Sequence, residues 1–467
     1  MRVALTSGAY QTSSVIASAQ RCLNLYPETT KVEAHEPAPV THYLTPGLRT
    51  VATAPSSVYR GAHVSTDGQL YVAVGNTLYS VSPAYAFYPI LTFTTTSGQV
   101  RMADNGVDLA VVDGSKYGWF ILLTTNVPTL ISDPAFYGAD RVDMLDGFFV
   151  FNRPSTNQFY LSDAIARTFD PLYIAAKAGF DRLVSLAVVR RELWLFGTLR
   201  TDIYNDVGAA DFPLAAVSGG IEHGCAAAHS VAKTDGGIYW LSQSRDGRAV
   251  VMHGAAYQAT RVSTHALETL WQTYATVSDA VANTYQLSGH IFYVLTFPSA
   301  NATWVYDLAT TEWHEWSSGA SGRHRGAAHA AAFGHNLVGD YQTGDLYALD
   351  PATFTDAGVR TKRIRAFPHM ILGAKRVRYV SFIADMECGT VAEGQPEPMV
   401  TLRYSDDRGA SWSGSQTSTL GTNGQTLTSV QFQRLGMARD RVFELSWDAP
   451  VRTALQGAWV QAMASAT

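Results

Sequence analysis

At 467 residues the chain is too long for a single ordinary core, so two or more domains are expected. Apolar residues make up 46% and charged residues 16%, which excludes a disordered chain, and no apolar run approaches the roughly 20 residues a membrane helix needs. The net charge of -5 is unevenly spread: residues 1–55 carry +1, residues 56–359 carry -10, and residues 360–467 carry +4.

The opening MRVALTSGAYQTSS breaks its apolar stretch with Thr, Ser and Gly and reads as a poor secretory signal. Residues 1–55 hold too little apolar surface for a core of their own. They are expected to pack against the C-terminal region, because chain ends commonly meet in space. Cys22, Cys225 and Cys388 are odd in number and far apart, which argues against a disulfide framework and for folding in a reducing cytoplasm.

From 56 to 355 a weak repeat appears, in which an apolar run leads to a turn and an aromatic-containing strand follows. The turns fall at Gly75-Asn76, Asp113-Gly114, Pro154, Gly197, Asp246-Gly247, near Ala300 and at Gly344, with spacings of 39, 40, 43, 49, 54 and 44 residues. Four-stranded propeller blades recur at about 40–50 residues, so this segment reads as a β-propeller of six or seven blades. A large β-sandwich with evenly spaced hairpins is the alternative. One stretch, STHALETLWQTYA, breaks the β pattern. It places Leu267, Leu270, Trp271 and Tyr274 on one helical face, with Thr264 as N-cap and Glu268 in the first turn. A helix packed over a blade edge is expected.

After Asp350-Pro351 the texture changes. Segments such as RIRAFPH, RVRYVSFIADMEC and RVFELSWDAPV alternate like strands, and Gly394 to Pro398 makes a rigid loop. Residues 356–467, with about seven strands, have the rhythm of a β-sandwich platform. The fold class is therefore all-β.

Within this platform, Ser405, Asp407, Gly409, Ser411 and Trp412 spell S-x-D-x-G-x-[ST]-W, which resembles the Asp-box of sialidases and related glycosidase propellers. The motif is physically a hairpin turn: Asp407 accepts backbone N–H groups, Gly409 supplies a positive φ, and Trp412 packs under the loop. It occurs once, outside the repeats, and no local motif announces a carboxylate pair or a Tyr nucleophile. The turn therefore reads as structural. Two histidine sets, His223, Cys225 and His229, then His324, His329 and His335, match no zinc spacing and read as hydrogen-bonded histidines. No metal, cofactor or nucleotide motif occurs. The basic runs RTKRIR, AKRVR and ARDR lack the interleaved aromatic residues of a single-strand binder. Alternation would place their charges on one face, either solvated or open to an acidic partner.

Several segments together are similar to one family. They are QRCLNLYPE, with Asn24, Tyr26, Pro27 and Glu28; GCAAAHSVA, with Gly224 and Cys225; and RVSTHALETL. The C-terminal series adds LRYSDDRGASWS, with Asp407, Gly409 and Trp412; QFQRLGMARDRVFELSWDAPV, with Arg434, Leu435, Gly436, Arg439 and Arg441; and LQGAWVQA. In order and spacing these resemble the tail-hub or nozzle proteins of short-tailed bacteriophages, also called packaged-DNA stabilisation proteins. The chain departs from them in being Ala-rich and in its divergent middle repeats.

The resemblance implies a propeller joined to a β-rich platform, assembled as a homohexameric ring below the portal and its head-to-tail adaptor. It implies a place in the virion tail after assembly in the host bacterial cytoplasm. The ring would continue the DNA channel, help retain packaged DNA, anchor tail fibres or tailspikes, and meet a needle or tip. The named residues would be assembly and structural signatures. Double-stranded DNA would slide through without sequence-specific binding, and a lumen lined by the acidic segment, about -60 in six copies, would repel it. The platform would then dock to the adaptor and the propellers would form the distal tube. The competing class is a carbohydrate-binding or carbohydrate-cleaving tail propeller.

Overall fold

The computed structural model describes residues 3–5, 8–11, 18–29, 40–244, 247–319, 322–371, 375–391 and 395–464. Asp246 and Gly394, named above in a turn and a loop, lie outside them. Among the described residues seven antiparallel sheets succeed one another along the chain, at residues 59–92, 101–130, 142–176, 183–216, 224–261, 281–315 and 326–350. Their innermost strands neighbour each other in sequence order, and Gly326–Ala332 packs beside Tyr59–Val64 to close the circle. The propeller therefore has seven blades.

Each blade is covered on both faces by its neighbours, and its second strand shows this as a continuous apolar run. Every residue of Leu70–Val74 and of Asp108–Val112 is buried, while the outermost strand Val127–Leu130 is exposed throughout. Aromatic rings fill the wedges between blades. Trp194, Phe196 and Trp240 meet between blades four and five, with the Phe196 and Trp240 centroids 5.1 Å apart. The expected turn glycines at 75 and 114 take left-handed φ of 57° and 81°.

The fourth strand of blade seven comes from the other end of the chain. Gly47–Thr53 pairs antiparallel with Asp345–Asp350, in a register running from Gly47 opposite Asp350 to Thr53 opposite Asp345. Residues 1–55 thus divide between two bodies. Ala19–Leu23, Leu25–Thr29 and Val40–Leu44 join the platform, and Gly47–Thr53 joins the propeller.

The platform is a two-sheet sandwich. One sheet runs Ala19–Leu23, Arg363–Ala366, Asp440–Trp447, Met399–Ser405 and Gln416–Thr419. The other runs Leu25–Thr29, Val40–Leu44, Ala454–Ala464, Val377–Met386 and Val430–Gln433. Leu23 also pairs in parallel with Glu315 of blade six, so the first platform sheet and that blade form one continuous sheet. The helix His265–Gln272 lies where expected, with Thr264 accepting the Leu267 N–H. Its Trp271 is fully buried against Trp313 and Phe297 at 5.3 and 5.6 Å.

Candidate assembly surface

The signature residues fall in three places. The first is the joint between propeller and platform. Asn24 sits at φ 55° where the chain leaves one platform sheet for the other. Its side-chain amide donates to the Lys362 carbonyl at 2.7 Å and to Ser317 Oγ at 3.3 Å, and accepts the Ser317 N–H at 2.8 Å. One side chain thus ties the N-terminus, blade six and the C-terminal region together. Asparagine suits the position because it tolerates left-handed backbone and offers both donors and an acceptor. Tyr26 packs edge-on to His290 and Phe292 of blade six at 5.2 and 5.5 Å. Pro27 and Glu28 continue the strand opposite His42 and Thr41.

The second place is the interior of blade five. A Cβ on Gly224 would lie 2.4 Å from the Thr198 carbonyl, so only glycine allows this approach to blade four. The Cys225 thiol donates to the Ala227 carbonyl, and burial pushes its pKa up to about 11, so it is an inert core group.

The third is one end of the platform, where two motifs far apart in sequence interlock. Asp407 accepts from the Ser411 N–H and hydroxyl at 2.7 and 2.5 Å and from Ser405 Oγ at 2.7 Å, and these bonds hold its carboxyl down to about 2. Gly409 takes φ 97°, and so, at 63°, does Arg408 beside it. Trp412 does not tuck under the loop; it is half-buried with the Arg403 guanidinium 4.4 Å above its ring. The polar side chains of Ser405, Asp407 and Ser411 are all used within the turn.

The residues between the motif letters make the long-range links. Asp406 accepts a bidentate pair from Arg441 Nε and Nη2 at 2.6 and 2.7 Å, and Arg408 donates to Asp440 at 2.7 Å. Arg441 is buried, with the Tyr404 and Tyr379 rings 3.9 and 4.6 Å from its guanidinium carbon. Sequence reasoning missed Asp406 and Arg408 because a hairpin motif specifies its own turn and leaves the intervening positions open.

The RLG turn has an equally local cause. Strand Val377–Met386 bulges between Tyr379 and Ser381. Arg434 N–H donates to the Val380 carbonyl there, and the Gly436 carbonyl accepts from Tyr379 N–H. Arg434 and Gly436 take left-handed φ of 58° and 77°, and Leu435 between them is fully buried as the anchor. The strand then resumes as Met437–Ala438, opposite Arg378 and Val377.

Alternation does not leave all the basic runs on one face. Arg363 and Arg365 point inward, donating to the Ala449, Phe354 and Gly8 carbonyls, because blade six and the N-terminal strands cover that sheet. The exposed charge is concentrated at the RLG end instead. Lys375, Arg376, Arg378, Arg434 and Arg439 are exposed, and among the described residues none of the five pairs with a carboxylate. Met437 and Met463, 50% and 62% exposed, both stand opposite Arg378 in the sheet. The result is a cationic rim around two flexible apolar side chains.

The propeller's acidity is partly consumed inside it. Asp108, Asp113, Asp202, Asp307 and Asp340 are buried and accept from Arg167, Thr95, Lys177, His290 and Arg325 respectively. The propeller's own axis is crossed by side chains: Arg101 of blade two reaches His229 of blade five, and Lys233 of blade five pairs with Asp143 of blade three. Neither histidine set assembles. His324 stacks on Trp316 at 3.8 Å, His329 meets Asn336, and Cys225 and His229 have separate partners. Among the described residues no cluster is placed to hold a metal ion.

A family model described as Bacteriophage P22 Gp10, beta-propeller, matches residues 1–354, three-quarters of the chain. The chain belongs to this family. The match covers the N-terminal platform strands, the closing strand and all seven blades, and it ends before the C-terminal strands that complete the platform. The P22 Gp10 family consists of phage structural proteins. No curated protein matches the chain. Similar solved structures include the N-terminal domain of Nup159 (TM-score 0.41, 11% identity, 71% of this chain and 99% of that one). A chain of a mitotic checkpoint complex gives TM-score 0.43 and 10% identity over 69% of this chain and 99% of that one.

Proposed function

We propose that the chain is the structural subunit of a short-tailed phage nozzle. It forms a six-fold ring that extends the DNA channel below portal and adaptor, retains packaged DNA, carries fibres or spikes, and conducts DNA at ejection. The observation that carries this reading is the unpaired cationic rim around Met437 and Met463, at the end of the platform where RLGMARDR and the Asp-box loop lock together. Unpaired arginines bordering exposed methionines suit a large, acidic protein partner, with charge guiding encounter and the methionines adapting to its surface. On this reading the adaptor binds there.

The acidic propellers then face away from the head and line the shared lumen. A duplex would pass between subunits, since the axis within each propeller is bridged by Arg101–His229 and Lys233–Asp143. A negative lumen lets DNA move, whereas each lysine or arginine bound to phosphate would add counterion-release affinity and retard it.

The test is charge reversal. The double variant Arg378→Glu, Arg439→Glu should fold as the parent, by circular dichroism and melting temperature, yet fail to join adaptor-bearing particles. Binding of the reversed chain to particles at parental levels would refute the docking role. Images of intact tails with Lys and Arg lining the bore would refute the lumen assignment.

A further inference from the structure

Where the platform meets blade six lies a group of buried side chains that the assembly reading does not use. Leu23 pairs in parallel with Glu315, so one step back on the two strands Cys22 and His314 stand side by side. Cys22 is in turn opposite Arg365. His42 belongs to the other platform sheet, between Pro27 and Leu455. All four side chains, Cys22, His42, His314 and Arg365, are fully buried. Arg365 donates to the Gly8 carbonyl at 3.0 Å, and the Cys22 thiol to the Leu25 carbonyl at 3.2 Å. The histidines differ: among the described residues, none of their four ring nitrogens has a hydrogen-bond partner.

Buried polar atoms in folded proteins are nearly always bonded, so two such imidazoles in one joint stand out. A neutral ring there forgoes hydrogen bonds, whereas a charged ring would be a buried cation without a counter-ion. His42 faces the Arg365 guanidinium and His314, and its flanking strands offer only Pro27 and Leu455. His314 has Val305 across the strand and the edge of Phe292 at 6.1 Å, with His290 and Asp307 near it. The carboxylates of the joint are already engaged. Asp307 is held by His290 at 2.8 Å, Glu315 by Arg21 at 2.9 and 2.8 Å, and Glu312 by the Gly8 N–H at 3.0 Å. Burial and the Arg365 charge push His42 well below its ordinary value, and burial pushes His314 down to about 4.

We propose that His42 and His314 form an acid-sensitive latch between platform and propeller: protonating them opens the joint around Cys22 before the blades unfold. Both rings take up a proton more readily once the joint is open. The latch is therefore fully closed above the ordinary histidine value near ~6.5 and loosens as pH falls from there toward about 4. The Asn24 amide and the Tyr26 ring, which fasten the same joint, part with it.

The native cysteines supply the probe, because all three are free and buried: Cys22 in the joint, Cys225 in blade five and Cys388 elsewhere in the platform. The full chain is labelled with 4,4′-dithiodipyridine, a thiol reagent that works in acid, between pH ~7 and ~4.5, and mass spectrometry reads each cysteine. Labelling of Cys22 relative to Cys225 and Cys388 is expected to rise at least tenfold as pH falls. The double variant His42→Phe, His314→Phe keeps two rings of similar size that cannot charge, and its ratio should stay flat. A ratio independent of pH in the parent, equal labelling of all three cysteines in acid, or the same rise in a folded double variant would each overturn the proposal. The parent alone gives a second reading: labelling of Cys22 that stops on return to pH ~7 supports a reversible latch, and labelling that continues there refutes it.

Discussion

Gly339→Ala should open the propeller at its seam. Gly339 lies in the second strand of blade seven, and the Tyr59 ring of blade one rests directly on it. A Cβ there would sit 2.0 Å from Tyr59 Cγ and 2.6 Å from Tyr59 Cβ. These atoms are at the root of the side chain, so no rotation of the ring relieves the clash without moving the backbone or expelling the ring. Tyr59 is 2% exposed, and its hydroxyl donates to the Gly344 carbonyl at 3.3 Å. Displacing it forfeits most of an aromatic burial, and overpacking itself costs about 1–3 kcal/mol, so a loss of about 3 kcal/mol is expected. Urea unfolding followed by tryptophan fluorescence measures it. The double variant Tyr59→Ala, Gly339→Ala should be at least ~1 kcal/mol less destabilised than the sum of the single changes. A Gly339→Ala loss below about 0.5 kcal/mol, or strict additivity in the pair, would refute the seam argument.

Asp406→Ala leaves the buried Arg441 guanidinium without its carboxylate and should cost the platform about 3 kcal/mol in urea titrations. Arg441→Met, which removes the buried charge as well, should cost less. The hold of Asp407 on its loop should be acid-sensitive in one direction. Its folded pKa, about 2, lies below the unfolded carboxylate value near ~4, so the contribution is complete above pH ~4 and fades as pH falls through 2. The Ser411 amide proton resonance, followed by NMR over that range, should report the loss, and Asp407→Asn should flatten the response. Trp271→Ala should detach the helix from blade six and lower stability by about 3–5 kcal/mol, read as a drop in the urea midpoint.

The blades were legible because each is made by neighbours in sequence. An apolar run, a turn glycine such as Gly75 or Gly114, and a returning strand are all local, and the helix face of Leu267 and Trp271 is local too. Blade number was less so, since the seventh sheet borrows Gly47–Thr53 from some 300 residues upstream, and nothing within that strand announces its partner. The inward turn of Arg363 and Arg365 was hidden for a related reason. Alternation places side chains on two faces, but which face meets solvent depends on blade six and the N-terminal strands arriving beside it. At the candidate surface, the Asp-box turn and the RLG turn could each be read alone. Their coupling through Asp406, Arg408, Asp440 and Arg441 is a tertiary fact.

The borrowed strand has a consequence for synthesis. Gly47–Thr53 leaves the ribosome early, yet its partner Asp345–Asp350 appears only after six blades have emerged. The strand's open edge must therefore stay unpaired through most of translation, and contacts so distant in sequence form slowly. The platform sheets ahead of it are completed later still: Leu25–Thr29 and Val40–Leu44 can pair with each other early, but Arg21–Leu23 meets Ile364–Ala366 and His42–Tyr43 meets Ala454–Leu455 only near the end of synthesis. Removing the first 53 residues therefore unfastens the propeller and strips three strands from the platform in a single cut.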